Sequence, residues 1–272
     1  MSAQTPMKRR TTRDIAAMRR RGEPIAMLTA YDAVIAGLVD SAGIDMILIG
    51  DSLGNVVLGY ETTIPVTLDD MIRHAAAVKR GSAQALLVCD MPFGTLINPD
   101  IALANAVRIL KETGVEAVKI EGGLAMVPVV ERLVAHGVAV MAHIGLTPQS
   151  VHQMGGYYMH GKDAESAARL RQEAKALEQT GAFAIVLECV TPALAAEITH
   201  ILSIPTIGIG SGPDCAGQVL VINDLIGLNT SPPPSFVRPR AAIAGIIREA
   251  VGAYVADTKA ERQPIPLQRR AD

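Results

Sequence analysis

The stretch M-I-L-I-G-D-S, residues 46–52, decides how the fold is interpreted. Four apolar residues and a glycine lead without interruption into Asp51 and Ser52. A strand that is apolar throughout is typical of a parallel sheet buried on both faces, and a polar ending marks where the strand leaves the core. The same unit, a short apolar run with a polar ending followed by an amphipathic helix, recurs along the chain. The apolar runs are 25–30, 46–51, 85–90, 117–121, 139–144, 184–188, 205–210 and 218–224.

Eight strands alternating with helices predict one α/β domain over residues 1–272, a (β/α)8 TIM barrel with its core at 22–256. A doubly wound open sheet is the alternative, but the chain has no early glycine-rich phosphate turn. Residues 11–21 predict an extra N-terminal helix that closes the bottom of the barrel. A final helix is expected around 240–256, and the tail 257–272 is expected to be flexible.

Composition excludes several classes of protein. Hydrophobic residues make up 49% of the 272 and aromatic residues only 3%, so the core is built from aliphatic side chains. Charge is nearly balanced, with 25 Lys and Arg against 27 Asp and Glu, which predicts neither a nucleic-acid nor a membrane partner. The cysteines, Cys89, Cys189 and Cys215, are too scattered for a disulfide framework or a zinc signature. We therefore expect a cytoplasmic protein.

Polar residues stand at the ends of five of the predicted strands. In a (β/α)8 barrel the active site lies at the carboxyl ends of the strands, so these side chains should share one mouth. Each also has an ordinary structural explanation by itself, as a turn residue, a helix cap, an ion pair or a core histidine. Their coincidence on five strand ends favours a functional site. The residues are Asp51 with Ser52, Asp90, Lys119 with Glu121, His143, and Glu188.

The chemistry of this set points to proton abstraction beside a metal. Three carboxylates, Asp51, Asp90 and Glu121, with no thiolate and one imidazole favour a hard cation such as Mg²⁺. Lys119 could neutralise a substrate carboxylate or a developing enolate. Glu188 lies on a different strand and could act as a general base. A Schiff-base role for Lys119 is the competing interpretation.

Two further stretches are less specific. The glycine-rich segment 208–212, G-I-G-S-G, offers backbone amides to an anion or serves close packing of the backbone. The segment 149–162 reads as a long loop with Gly155 and Gly156 as hinges. A mobile lid and an ordinary surface loop are equally good interpretations of it.

The chain closely resembles the ketopantoate hydroxymethyltransferase (3-methyl-2-oxobutanoate hydroxymethyltransferase) family over roughly residues 11–240. Several of the matching segments are long and specific. They are L-T-A-Y-D (28–32), G-D-S-L-G-N-V-V-L-G-Y-E-T-T-I-P-V-T-L-D-D-M (50–71), V-K-I-E-G-G (118–123), H-I-G-L-T-P-Q-S-V-H-Q-M-G-G-Y (143–157), L-E-C-V (187–190) and I-G-I-G-S-G (207–212).

The resemblance implies roles for the residues at the strand ends. Asp51 and Asp90 look like the Mg²⁺-binding aspartates, with Glu121 associated with the same metal. Glu188 looks like the proton acceptor. The implied substrate-binding residues are Asp51, Ser52, Asp90, Lys119 and His143.

The implied reaction joins two small molecules. A Mg²⁺-bound 3-methyl-2-oxobutanoate loses its C3 proton, and the enolate attacks the methylene carbon of 5,10-methylenetetrahydrofolate to give 2-dehydropantoate for pantothenate biosynthesis. The family forms homo-oligomers, so a homo-oligomer, commonly a decamer, is implied here too.

The chain departs from the family pattern at a few positions. Ala216 stands where an Asp is expected, Asn223 where a His is expected, and Leu96 where an aromatic residue is common. Residues 231–240 replace the usual Lys-rich ending. None of these is a proposed metal or base position, so the departures bear on folate binding and subunit packing.

Two other interpretations stay open on the sequence. A phosphoenolpyruvate mutase or isocitrate-lyase-like enzyme also handles 2-oxo acids with Mg²⁺ in a barrel, but would carry a cysteine-containing loop signature that is not found. A non-catalytic scaffold barrel is expected to have lost part of the constellation, whereas here it is intact.

Overall fold

The computed structural model, which describes residues 8–261, contains a closed barrel of eight parallel strands in the order β1 to β8. Strand β8 pairs with β1 through the register Ile25↔Gly217, which closes the sheet. The predicted TIM barrel is therefore confirmed, and the open sheet is excluded. The strands are β1 (Ile25–Thr29), β2 (Met46–Ile49), β3 (Leu86–Asp90), β4 (Ala117–Glu121), β5 (Ala139–Gly145), β6 (Ala184–Glu188), β7 (Thr206–Ile209) and β8 (Gly217–Leu220).

Helices follow the strands as a (β/α)8 barrel requires, with short additional helices in the loops at the mouth. Two 3-10 turns, Leu124–Met126 and Pro148–Ser150, each lead directly into an α-helix. The α-helices are α1 (Thr12–Arg21), α2 (Ala33–Ser41), α3 (Leu53–Val56), α4 (Leu68–Gly81), α5 (Pro99–Thr113), α6 (Val127–Ala135), α7 (Val151–Met154), α8 (Ala164–Gln179), α9 (Pro192–Ile201), α10 (Ile222–Ile226) and α11 (Ile243–Glu261).

The barrel interior is filled by alternate residues of the strands. Leu86 and Val88 of β3 belong to one buried aliphatic cluster that includes residues of all seven remaining strands. Since side chains alternate between the two faces of a strand, Asp90 shares their inward direction. The aliphatic layers thus fill the lower and middle barrel, and the inward positions near the carboxyl ends are left to polar side chains.

Helix α1 closes the amino-terminal end of the barrel, as predicted. A capping box starts it: the Thr11 amide donates to Asp14 Oδ2 at 2.8 Å, and the Asp14 amide donates to Thr11 Oγ1 at 3.3 Å. Gly22 in the left-handed conformation ends it. Between the caps, Ile15 is fully buried within the interior cluster. One side chain of α1 therefore completes the barrel core.

Replacing Ile15 tests how much this closure stabilises the protein. We expect Ile15→Ala to lower the free energy of unfolding by about 2–5 kcal/mol, because a buried side chain is lost and a cavity remains. Ile101, which is 40% exposed on α5, gives the matched control. Ile101→Ala should cost well under half as much in the same urea titration. Equal losses in the two variants would mean that α1 does not complete the core.

The carboxyl-terminal part differs from the sequence prediction. Strand β8 ends at Leu220, and residues 222–224 of the predicted 218–224 strand belong to helix α10 instead. Helix α11 continues to Glu261, so the tail expected to be flexible from residue 257 begins as helix. The remainder of that tail, residues 262–272, lies outside the described residues.

The described chain divides into two compact units, with the boundary between Ile222 and Asn223. The first contains the barrel and the second contains α11. A single domain over residues 1–272 stays a prediction. Among residues 8–261, none of the helices combines the length and apolar character needed to cross a membrane.

Candidate active site

The ionisable residues predicted at the strand ends meet in one chain of contacts inside the barrel mouth. Lys119 Nζ lies 2.6 Å from Asp90 Oδ1 and 3.6 Å from Glu121 Oε1. His143 Nδ1 lies 3.4 Å from the same Glu121 oxygen, and His143 Nε2 lies 3.3 Å from Glu188 Oε2. Strands β3 to β6 deliver these groups side by side, with Asp90 in register with Lys119 and Glu121 with His143. The site predicted from the strand endings is therefore assembled.

Asp51 joins the cluster from the turn after β2. Its backbone amide donates to Asp90 Oδ2 at 3.0 Å, and its carboxylate Oδ2 accepts from Gln149 Nε2 at 2.8 Å. A Cβ at Gly50 would lie 2.8 Å from Ser52 Oγ, whereas its 3.6 Å distance to Asp90 Oδ2 would be an ordinary contact. The glycine that ends M-I-L-I-G therefore leaves room for the Ser52 hydroxyl in its observed position.

Ser52 has the position of a helix cap without its function. It precedes α3, yet its side chain makes no capping hydrogen bond. Instead, Ser52 Oγ lies 2.8 Å from the hydroxyl of Tyr31, a buried residue two positions past the end of β1. The ordinary interpretation of Ser52 as an N-cap is therefore wrong, and its hydroxyl stays beside Asp51.

The backbone after Glu188 is held in a strained conformation. Cys189 has φ 48°, the only positive φ among the non-glycine residues that the structure describes, at a typical cost of about 1–2 kcal/mol. Ser211 Oγ bridges this turn by donating to Leu187 O at 2.7 Å and accepting from Val190 N at 2.9 Å. The glycine-rich segment 208–212 thus includes a serine that anchors the strand carrying Glu188.

Close backbone packing also fixes Glu188 from the β5 side. Gly145, with φ 94°, lies so near that a Cβ there would approach Glu188 O to 2.2 Å. The Leu146 amide donates to the same oxygen at 2.8 Å. Glu188 keeps 18% of its side chain exposed, whereas Lys119 keeps 5%. The glutamate therefore has a rigid backbone and a carboxylate that solvent and substrate can reach.

Burial and neighbouring charges determine the electrostatics of Asp51 and Lys119. Burial, followed by the charges of Asp90 and Glu121, raises the pKa of Asp51 well above its ordinary value. Burial lowers the pKa of Lys119, but the nearby carboxylates of Asp90, Glu121 and Asp51 outweigh it and raise the pKa overall. Lys119 is consequently an ammonium ion at neutral pH, and a further cation beside Asp51 would favour its ionised form.

His143 and Glu121 stabilise each other as an ion pair. Burial and Lys119 lower the pKa of His143, but contacts with Glu121 and Glu188 raise it to about 9. Burial raises the pKa of Glu121, but Lys119 and then His143 bring it below its ordinary value. At neutral pH the imidazolium therefore separates Glu121 from Glu188.

The donor set fits a Mg²⁺ ion. Four carboxylates, Asp51, Asp90, Glu121 and Glu188, face two cationic side chains, and Asp90 Oδ1 is buried without a hydrogen-bond donor in good geometry. Within residues 8–261 no three His, Cys, Asp or Glu side chains form a ready metal cluster. Mg²⁺ does not require one, because it is usually held by one or two carboxylates, with water and substrate oxygens completing its shell.

Two residues of the site were not singled out from the sequence. Tyr31 contacts Ser52, and Gln149 contacts Asp51 and Glu121. Tyr31 lies in the connection after β1 and Gln149 in the 3-10 turn after β5, where neither charge nor periodicity marks them. The part of the 149–162 segment up to Met154 is also not a loop, since a 3-10 turn and α7 occupy it.

Solved structures share the fold of this chain. A phosphonopyruvate hydrolase in complex with oxalate and Mg²⁺ matches with a TM-score of 0.65 at 12% identity, covering 91% of this chain and 87% of that one. A phosphoenolpyruvate phosphomutase from Streptomyces platensis subsp. rosaceus matches with a TM-score of 0.64 at 15% identity, covering 95% and 93%. At such identities the likeness concerns the barrel alone.

Sequence relatives are far more similar. A 3-methyl-2-oxobutanoate hydroxymethyltransferase of Roseiflexus sp. (strain RS-1) is 56% identical over 248 residues, covering 91% of this chain and 89% of the relative. An enzyme of the same name from Anaeromyxobacter sp. (strain Fw109-5) is 52% identical over 265 residues, covering 95% and 87%. The family model for ketopantoate hydroxymethyltransferase matches residues 9–266. The resemblance noted in the sequence is thereby confirmed, and the chain belongs to the ketopantoate hydroxymethyltransferase family.

Proposed function

We propose that this protein transfers a hydroxymethyl group from 5,10-methylenetetrahydrofolate to 3-methyl-2-oxobutanoate, forming 2-dehydropantoate for pantothenate biosynthesis. The observation that carries the proposal is the position of Glu188. Its partly exposed carboxylate stands at the edge of a buried cluster of two aspartates and a lysine. A base beside a cation site is the arrangement that removal of a proton next to a carbonyl requires.

The substrate is oriented by charge. Asp51 and Asp90 would hold the Mg²⁺ ion, with Glu121 close by, and Mg²⁺ bound there supplies Lewis-acid polarisation of the 2-oxo group. Lys119, held as an ammonium ion, attracts the carboxylate of the 2-oxo acid. Ser52 and His143 line the same mouth and complete the binding site with hydrogen-bond donors. These residues would hold the 2-oxo acid in the same mouth as Glu188.

Glu188 then accepts the proton from C3. The electron pair of the broken C–H bond becomes the C2–C3 double bond of the enolate, whose oxygen takes the negative charge. The enolate carbon forms a C–C bond with the methylene carbon of the folate, and one water supplies the hydroxyl oxygen through a new C–O bond. Both C–N bonds of the methylene carbon break in the overall transfer, and the C3 proton and the remaining water proton end on the two nitrogens of tetrahydrofolate.

The Schiff-base alternative for Lys119 is disfavoured by its surroundings. An amine attacks a carbonyl only when it is unprotonated. Lys119 Nζ lies 2.6 Å from Asp90 and 3.6 Å from Glu121, and these neighbours raise its pKa. The lysine is therefore suited to bind an anion and unsuited to act as a nucleophile.

We propose further that the protein assembles with copies of itself, as a decamer. Helix α11 supports this, because it exposes several large apolar side chains, a pattern typical of surfaces buried in an interface. Sedimentation should then give ten times the 28.6 kDa mass of the chain. A cytoplasmic location completes the proposal, since the three cysteines are free thiols. The exposed residues of α11 are Ile246, Ile247, Val251, Tyr254 and Val255.

Removal of the metal tests the proposed chemistry. Enzyme stripped with a chelator should form 2-dehydropantoate at least about 100-fold more slowly than the untreated enzyme, because the polarising cation is lost. Adding Mg²⁺ back should restore the rate. Product is measured by NMR from 3-methyl-2-oxobutanoate and 5,10-methylenetetrahydrofolate. Full activity in the stripped enzyme would contradict the assignment of Mg²⁺ to the aspartates.

A further inference from the structure

Gln149 makes contact with two of the carboxylates at once. Its side-chain Nε2 donates to Asp51 Oδ2 at 2.8 Å and to the backbone oxygen of Met91 at 3.0 Å. Its backbone amide donates to Glu121 Oε2 at 3.1 Å. Gln149 is buried, so water does not compete for these groups. One residue from the loop after β5 thus spans the strand ends of β2, β3 and β4.

The orientation of the Gln149 amide is determined by its neighbours. Both groups that Nε2 meets are acceptors, a carboxylate oxygen and a carbonyl oxygen. Turning the amide over would direct its own oxygen at them, with no donor left to pair them. The backbone is equally fixed, because Pro148 precedes Gln149 in a 3-10 turn closed by the Ser150 amide donating to Thr147 O at 2.8 Å.

These contacts divide the oxygens of each carboxylate between two tasks. Gln149 takes Oδ2 of Asp51, so Oδ1 remains available to a ligand. It takes Oε2 of Glu121, whereas Oε1 faces Lys119 and His143. Without the donor, the Asp51 carboxylate would lose the side-chain hydrogen bond that fixes its orientation and could rotate. Such a rotation would remove a ligand oxygen from the cation.

We infer that Gln149 is a positioning residue that holds Asp51 and Glu121 in the arrangement that binds the divalent cation. This inference rests on the proposed function and assigns to Gln149 a task in it. Gln149 is assigned no contact with the cation or the substrate in this arrangement. Its hydrogen bond pairs Oδ2 of Asp51 and leaves Oδ1 for the cation.

Direct metal binding by the full-length protein tests the inference. Mn²⁺ is the probe, and its binding to the protein without substrate is followed by electron paramagnetic resonance. Gln149→Met keeps the length of the side chain but removes its donor. We expect this variant to bind Mn²⁺ about 10–100-fold more weakly than wild type, as is usual when a hydrogen bond to a ligating group is lost. Gln172→Met, on the exposed face of α8, is the matched control and should bind as wild type does.

The Mg²⁺ dependence of activity gives a second measurement, which would stay unchanged if Gln149 had a purely structural role. The Mg²⁺ concentration for half-maximal rate should rise by the same factor in Gln149→Met, while kcat at saturating Mg²⁺ changes by less than about fivefold. Gln149→Asn, whose amide is one methylene too short to reach both acceptors, should show the same weakening. Gln149→Asn replaces Gln149→Met in both measurements if the methionine variant fails to fold.

The possible outcomes are distinct. Wild-type Mn²⁺ affinity in a folded Gln149→Met or Gln149→Asn protein overturns the inference and leaves the proposed function standing. Wild-type protein that binds no Mn²⁺ overturns both, because the aspartates then hold no cation. Weakened binding in the Gln149 variants, with normal binding by Gln172→Met, is the result that the contacts predict.

Discussion

Glu188→Gln should lower kcat for hydroxymethyl transfer by roughly 10³-fold, because a positioned general base typically contributes between 10² and 10⁴. Glutamine preserves the size of the side chain but cannot accept the C3 proton. The KM for 3-methyl-2-oxobutanoate should change little, since Glu188 is not assigned to bind the substrate. Steady-state kinetics at saturating Mg²⁺ measure both quantities.

The control for this variant is an exposed glutamate of the same length. Glu131 lies on α6 with its side chain in solvent, so Glu131→Gln should retain wild-type kinetics. A Glu188→Gln enzyme within about tenfold of the wild-type kcat would show that another group removes the proton, since a positioned base is worth at least 100-fold. Thermal unfolding of both variants shows whether the loss of kcat reflects the missing base or a loss of folded protein.

Lys119→Met is the second substitution with a large expected effect, and it should impair both stability and activity. Asp90 would be left buried without its closest cation, and Glu121 would keep only His143; breaking a buried pair in this way typically costs about 3–5 kcal/mol. Loss of the ammonium ion should also lower kcat/KM for the 2-oxo acid by about 10²-fold or more, because the substrate carboxylate loses its counter-charge. Urea titration and steady-state kinetics measure the two effects separately.

Substitution of a second lysine distinguishes the stability contributed by a buried ion pair from that of an ion pair near the surface. Lys79 pairs with Glu116, but about a quarter of each side chain is exposed. Lys79→Met should therefore cost no more than about 1 kcal/mol, as expected for pairs near the surface. If the two variants lost similar stability, the charges around Lys119 would not be isolated from solvent as the structure places them.

Much of the fold could be predicted because the strands of a (β/α)8 barrel are short apolar runs with polar ends. The same property explains the error at β8, since Val221 and Ile222 continue the apolar run into a helix. Periodicity does not distinguish a buried strand from a short buried helix. The end of β8 and the start of α10 are therefore defined only by the structure.

The candidate site could be predicted to the extent that its residues end strands. Asp90, Lys119 and Glu188 occupy inward positions whose direction follows from the alternation along each strand. Tyr31 and Gln149 come from the connections that follow β1 and β5, and the sequence of a connection does not indicate which strand end it will contact. Their contacts with Ser52 and Asp51 depend on the closed barrel as a whole.

Exchange of the C3 proton of 3-methyl-2-oxobutanoate for deuterium, followed by NMR in D₂O without folate, tests the central claim most directly. We predict exchange by wild type that requires Mg²⁺ and is lost in Glu188→Gln, because proton removal precedes transfer of the one-carbon unit. A parallel sample with tetrahydrofolate tests whether the exchange requires a bound folate. No exchange by wild type with Mg²⁺, with or without tetrahydrofolate, would contradict the proposed enolate and the role of Glu188 as its base.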